Sequence, residues 1–382
     1  MRPHCISEYH CVLSAQEAIL SEIAISGSIS FARFMAIALY EPGVGYYATA
    51  NIGKNGDFYT SVAVGSIFAR VLYGQFEEVW AALGRPRHFP FVEFGAHSGL
   101  FASDILRHAS ETAAPFSAAL DYHIVENQPN LRQTQADTLS GWPHQIHSHW
   151  EELPAFEGLV FANELLDAFP FHLVEWTGSR WAECRVQEYE GSFQFTLAEI
   201  ADPCLLSAIH SIPLPLPTGY VTEVCPLRQL WLKKVCHKIS RGMVLLIDYG
   251  YCRKEYFAPH RRFGTFACYH RHRRTGNPFI NVGHQDITSH VEFTSLMGTA
   301  QECGFSIVGF ADQNHFLTAA AEPWLRSITN KPLTDSLKFD LRHLQTLIHP
   351  ALMGSQFQVL ALSRGIPAPV LSGFRYQQPV SA

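Results

Sequence analysis

The sequence predicts an α/β fold built on a doubly wound parallel sheet. Three observations carry this expectation. Short apolar runs recur at Phe91-Val92-Glu93-Phe94, Tyr122-His123-Ile124-Val125, Gly158 to Ala162 and Gly242 to Ile247. Each run ends on or beside an acidic or amide residue, namely Glu93, Glu126, Asn163-Glu164 and Asp248. Helix-like stretches separate them, as at Leu100 to His108, and alternation of this kind builds parallel sheets with helices on both faces. In such sheets ligands bind outside the carboxyl ends of the strands.

The elements follow in chain order. Ala15 to Leu39 has apolar residues at helical spacing in two pieces (Ala18, Ile19, Ile23, then Phe31, Phe34, Met35, Ile37, Ala38), with Ser28 or Ser30 as cap of the second. Two glycine-rich loops follow, Tyr40 to Tyr47 and Gly53 to Ser61, and then an amphipathic helix to about Leu83. Next comes the strand of residues 91–94, which breaks into Gly95-Ala96-His97-Ser98-Gly99 before a helix. That turn lets backbone approach a ligand and supplies free N–H groups at a helix start. It is not GxGxxG, so a dinucleotide oxidoreductase is disfavoured; Glu93, and Glu126 at the next strand end, suit S-adenosylmethionine instead, the later carboxylate accepting from its ribose hydroxyls. Phe171 to Phe195 alternates with period two and predicts antiparallel hairpins, followed by the stiff Pro213 to Pro217 connector. Arg253 to His290 is basic, aromatic and without clear period. Both segments are expected to lie over the strand ends as a cap, since long irregular stretches in compact proteins are usually functional.

Composition bounds the function. Of the 382 residues, 47% are hydrophobic, 13% aromatic and only 16% charged, which excludes a disordered or fibrous chain. No apolar run reaches the ~20 residues of a membrane-spanning helix. A net charge of −6 advertises no nucleic acid. Nine cysteines lie singly with no CxxC pair, which predicts reduced thiols and no zinc ribbon. The first twenty residues lack the apolar stretch of a secretory signal and carry Glu8 and Glu17, so a cytoplasmic location is expected, with the mitochondrial matrix as the alternative. Twenty histidines are many for this length, and several sit among the arginines of 260–274. No Cys/His spacing suits a metal, so none is expected. The arginine cluster reads as a solvated face, or alternatively as a docking patch for an acidic partner. His144, His147 and His149 read as surface, while Trp150 is a candidate to cover an adenine.

Several motifs together resemble one family. GxxGDFxTS at 53–61, VExG at 92–95, YHIVE at 122–126, ANELLDAFP at 162–170, LLIDYG at 245–250, GxQDITxHVxF at 283–293 and FxVLxLS at 357–363 occur in a single order. They resemble the MidA family of class I S-adenosylmethionine-dependent methyltransferases, which includes a mitochondrial complex I assembly factor, over about residues 30–374. The resemblance implies a Rossmann-like methyltransferase sheet with a helical N-terminal segment (1–84). The methyltransferase domain (85–382) then carries a β-hairpin and loop cap inserted at about 171–220 and 253–292. It implies S-adenosyl-L-methionine as cofactor, bound by Glu93, Gly95, Gly99, Glu126, Asn163, Gly56, Thr60 and Ser61. It also implies methylation of a protein arginine, with Glu164, Asp167 and Asp57 as catalytic residues. Carboxylates suit that task, because a guanidinium is permanently charged and forked. The implied partners are a protein substrate, with a respiratory-complex subunit as candidate, and a second copy of the chain. Two departures from the family pattern stand out: His97 replaces the middle glycine of the turn, and Val62-Ala63 replaces a proline–glutamate pair. They keep a second reading open, a cofactor-binding assembly factor with little or no transferase activity.

Overall fold

A computed structural model describes residues 14–49, 61–112, 114–271, 273–367 and 371–377. Its centre is a sheet of seven main strands, β1 Phe89–Phe94, β2 Leu120–Val125, β3 Gln145–His147, β4 Phe156–Asn163, β5 Ile239–Tyr251, β6 Ser306–Asp312 and β7 Phe357–Arg364, with the two-residue strand Val291–Glu292 paired to the end of β5. Their spatial order is β3-β2-β1-β4-β5-β7-β6. Strands β1 to β5 pair in parallel, whereas β7 runs antiparallel between β5 and β6. The sheet is therefore mixed, and the expectation of a parallel sheet is corrected at one strand. The order reverses between β1 and β4, so the ends of those two strands open a crevice.

Unbroken apolar runs form these strands because both sheet faces are covered. In β4, Leu159 and Phe161 enter one core with the helices Ile67–Ala82, Leu100–Thr112 and Gln313–Ala320. Val160 and Ala162 enter the opposite core with the helices Pro226–Lys238 and Phe293–Glu302. In β5, Met243, Leu245 and Ile247 share the first core and Val244 and Leu246 the second. The period of two is thus present but hidden, since each side of the strand is apolar.

The remaining strands form a second, five-stranded sheet and a small three-stranded one. Residues 14–40 give the two expected helices, Ala15–Ser26 and Phe31–Tyr40. Ser14 caps the first by accepting from Glu17 N, and Ser30, not Ser28, caps the second by accepting from Arg33 N. The predicted hairpins are strands His172–Trp176, Trp181–Tyr189 and Ser192–Ala198, completed by Tyr220–Val224 and Ile29–Ser30. Phe31 joins this sheet to the N-terminal helices, its ring 5.4 Å from Phe171 and 5.7 Å from Phe195. The basic segment, which had no visible period, contains three short strands: Ala267–His270, Arg273–Thr275 and Asp286–Thr288. Among the described residues no helix is long and apolar enough to cross a membrane.

Candidate functional site

The glycine turn leaves β1 at the crevice. Gly95 and Gly99 take φ of 72° and 79°, a left-handed backbone that favours glycine, and His97 takes φ of 50° in the same turn. A Cβ on Gly95 would come within 3.2 Å of Leu165 Cδ1, so a side chain there would press on the neighbouring strand end. His97 is exposed to the cavity described below yet crowded by protein, and that desolvation pushes its imidazole down to about 4. Its backbone carbonyl accepts from Gln135 Nε2 at 3.0 Å. Glu93, only 3% exposed, lies just before the turn and accepts from the Tyr122 hydroxyl at 2.7 Å. Burial pushes its carboxyl up to about 8, against the opposing pull of that hydroxyl.

Glu126 follows β2 and Asn163-Glu164 end β4. The Glu126 carboxylate accepts from Gln128 N at 2.9 Å and Gln135 Nε2 at 3.3 Å, and burial raises its pKa. Asn163 is buried and its Oδ1 has no hydrogen-bond partner, an arrangement that calls for a donor from a ligand. Glu164 has φ of 51° and accepts from Ser61 N and Asn163 Nδ2, both at 3.0 Å. It is half-covered by residue surface because it faces the cavity, but the surrounding protein, and then Asp167, push its carboxyl up to about 8. Asp167 is raised to about 6 by burial, with the Arg228 guanidinium pulling the other way. Asp248 at the end of β5 accepts from Leu166 N at 2.8 Å and Asp167 N at 3.3 Å, which fixes the loop carrying these acids.

One cavity of about 1790 Å³ joins these groups. That exceeds the few hundred to 1,000 Å³ of a typical small-ligand pocket, so it has room for a cofactor and part of a second molecule. Glu93, Gly95, Glu126, Asn163, Glu164 and Asp167 all line it. Phe94 also lines it but packs on Trp150 and Trp231, with centroids 5.1 and 5.3 Å away. The N-terminal helices close one wall: Tyr40 donates to Ala168 O at 2.7 Å, and Tyr47 donates to Asp286 at 3.0 Å. Arg261, Arg271 and Arg274 also line the cavity, while Arg262, Arg271, Arg273 and Arg274 are exposed, so the arginine cluster is solvated, as one of the two readings had it, and borders the cavity as well.

The expected site residues Glu93, Gly95, Glu126, Asn163, Glu164 and Asp167 therefore meet at one cavity. Gly99 stands behind the turn, where an added Cβ would approach Gln135 Cα at 3.5 Å. Ser61 is buried and meets Glu164 through its backbone N–H. Asp57, Gly56 and Thr60, and also His272, lie outside the described residues. Sequence reasoning missed Arg228, whose guanidinium donates to the carbonyls of Leu166, Ser289 and His290. No motif signalled it, because its acceptors are main-chain atoms about sixty residues away. His147 is not a surface residue as expected: it stacks on His123 at the sheet edge, with ring nitrogens 2.9 Å apart. Among the described residues no cluster of His, Cys, Asp or Glu could hold a metal ion.

The same geometry recurs in known proteins. Residues 71–311 match the family described as S-adenosyl-L-methionine-dependent methyltransferases. A crystal structure from Burkholderia thailandensis, of a superfamily member bound to S-adenosyl-homocysteine, covers 95% of each chain with 31% identity and a TM-score of 0.85. A native crystal structure of a protein of the same superfamily from that organism gives 32% identity and a TM-score of 0.83, covering 95% of this chain and 96% of that one. Among curated proteins, the Drosophila melanogaster protein named "Protein arginine methyltransferase NDUFAF7 homolog, mitochondrial" is 26% identical over 94% of this chain and 87% of its own length. The Homo sapiens protein named "Protein arginine methyltransferase NDUFAF7, mitochondrial" is 26% identical over 94% of this chain and 85% of its own length. These relatives are named mitochondrial, so the expectation of a cytoplasmic location finds no support in them.

Proposed function

The chain belongs to the family of S-adenosyl-L-methionine-dependent methyltransferases, and from that premise we propose that it methylates an arginine side chain of a protein. The observation that carries the substrate is the pair Glu164 and Asp167. Two carboxyls, raised to about 8 and about 6, face the same cavity, and neither has an ion-pair partner among the described residues, though Arg228 opposes the rise at Asp167. Such a site is stabilised by an incoming guanidinium, which lowers both pKa values and accepts a bidentate clamp. Asn163 Oδ1 and Glu126 suit the amino and ribose ends of S-adenosyl-L-methionine, with Glu93 supporting the turn that Gly95 and Gly99 let approach it. Gly56, Thr60 and Asp57 are proposed as further pocket residues on the strength of the sequence resemblance.

When bound, the cofactor supplies a methyl group activated on a sulfonium. The protein's own share is positioning, which accounts for much of the rate in displacements of this kind. Glu164 and Asp167 orient the guanidinium and neutralise its charge; the Tyr40 and Tyr47 wall with Phe94 and Trp231 excludes water. The protein substrate is proposed to be a respiratory-complex subunit, as the sequence resemblance implies, and the location the mitochondrial one that the relatives' names favour.

Calorimetry with S-adenosylhomocysteine and a methyl-transfer assay on arginine peptides test this reading. Wild-type protein is expected to bind, and Glu126→Ala to bind about tenfold or more weakly. His97→Gly, which removes the side chain at the turn, should bind no more weakly than wild type. Glu164→Gln should retain cofactor binding while transfer falls by about a hundredfold or more. Absence of S-adenosylhomocysteine binding would sink the whole proposal. Binding without transfer to any arginine peptide would favour the assembly-factor reading instead.

A further inference from the structure

The acidic floor accounts for one guanidinium, and it leaves the basic wall of the same cavity without a role. Between Glu255 and Asp286 the chain carries Arg261, Arg262, Arg271, Arg273 and Arg274 and no carboxylate. The fold turns three of them, Arg261, Arg271 and Arg274, to the cavity. Arg261 is held in place, its guanidinium 3.9 Å over the Tyr251 ring and its Nη2 3.2 Å from Glu255 Oε1. Arg274 is exposed on the short strand Arg273–Thr275, its backbone paired with Tyr269. Their field reaches His290: burial first, then Arg261, Arg274 and Arg228, hold its imidazole down at about 4. His290 stacks on Tyr249 with centroids 6.0 Å apart, its ring tilted 45° against that of Tyr251 at 5.1 Å, and it lines the same cavity as the arginines and the acidic pair.

A cavity with this polarity is hostile to a substrate carrying several cations. One guanidinium is favoured at Glu164 and Asp167, but a second positive group beside it would meet the wall. We propose that the arginine accepted here is carried on an acidic segment, whose flanking carboxylates dock on Arg261 and Arg274 while its guanidinium reaches Glu164 and Asp167. This inference rests on the arginine reading given above and adds a substrate class to it. Charge complementarity of this kind sets specificity and encounter rate more than total affinity.

Three peptides of equal length test it, each with one arginine in a serine–glycine context, flanked on both sides by Glu, by Gln or by Lys. Binding to the full chain loaded with S-adenosylhomocysteine is read by fluorescence anisotropy, and methyl transfer is read separately. The Glu-flanked peptide should bind about tenfold more tightly than the Gln-flanked one, with the Lys-flanked one weakest and the spread narrowing in high salt. Arg274→Glu should invert the order of the Glu and Lys peptides, and Arg274→Gln should level it. Unchanged melting temperatures of both variants confirm that the exposed position does not carry the fold. Equal binding of the Glu and Gln peptides, no binding of either, or an order unmoved in Arg274→Glu would overturn the inference. Transfer to all three peptides at one rate would remove the wall's role and leave arginine methylation standing. A charge-ordered binding series without transfer would do the reverse.

Discussion

At the scale of single residues, Glu93 shows how the site is held in a state unlike that of the unfolded chain. Its carboxyl is raised from about 4.5 to about 8 by burial. Between those values the native protein keeps a proton that the unfolded chain has released, so native stability falls as pH rises through the window. Below about pH 4.5 both states hold the proton and the penalty vanishes. Glu93→Gln keeps the shape and the acceptor for Tyr122 but removes the titration. In ligand-free urea melts from pH 5 to pH 8, the wild type is expected to lose stability relative to Glu93→Gln, at up to about 1.4 kcal/mol per pH unit. Parallel curves for the two proteins would show that Glu93 does not titrate in this range. The residues legible from sequence were those that end apolar strands, Glu93, Glu126, Asn163 and Glu164, because the fold class alone aims strand ends at the site. Tyr47 and Asp286 form their hydrogen bond across 239 residues, a separation at which local pattern carries no information.

At the scale of elements, the helix Pro226–Lys238 does more than cover the sheet. Its buried Arg228 ties Leu166, in the loop after β4, to Ser289 and His290 ahead of the strand Val291–Glu292. The loop with Glu164 and Asp167 is thereby fixed to the segment that carries Asp286. Arg228→Leu leaves these carbonyls without a donor and Asp167 without the nearby positive charge that opposes the rise of its pKa, and removing one partner of a buried charged network costs about 3–5 kcal/mol. Chemical denaturation should show a loss of that order, with Arg228→Lys recovering part of it through fewer hydrogen bonds. A variant as stable as wild type would show the brace to be dispensable. The strands β1, β2, β4 and β5 were legible because each carries an apolar run that ends at an acidic or amide residue, whereas β3, three residues long, and the half-exposed β6 were not. The three short strands within 267–288 were not, since segments of three or four residues give no period. The direction of β7 was likewise hidden, because an apolar run looks the same in either orientation.

At the scale of the whole molecule, the sequence suggested a helical N-terminal segment and a methyltransferase domain meeting near residue 84. Packing bears on how separable they are. The helix Ile67–Ala82 lies before that boundary, yet Phe68, Leu72, Phe76, Val79 and Trp80 sit in the same core as Phe91 of β1 and Phe161 of β4. The Phe76 ring is 4.8 Å from Phe91 and 5.4 Å from Phe161. Burying five such side chains contributes about 2 kcal/mol each, or roughly 10 kcal/mol in all. That matches the entire stability of an ordinary domain, about 5–15 kcal/mol. A chain beginning at residue 85 would also expose the apolar face that this helix covers, inviting association. The full chain is therefore expected to unfold in one calorimetric transition, and residues 85–382 alone to show none, or to aggregate without binding S-adenosylhomocysteine. Phe76→Ala in the full chain gives the graded version, a loss of about 3–5 kcal/mol with the single transition retained. If residues 85–382 instead melt cooperatively and bind the ligand, the helix is an accessory layer and the first eighty-four residues form a separable lid.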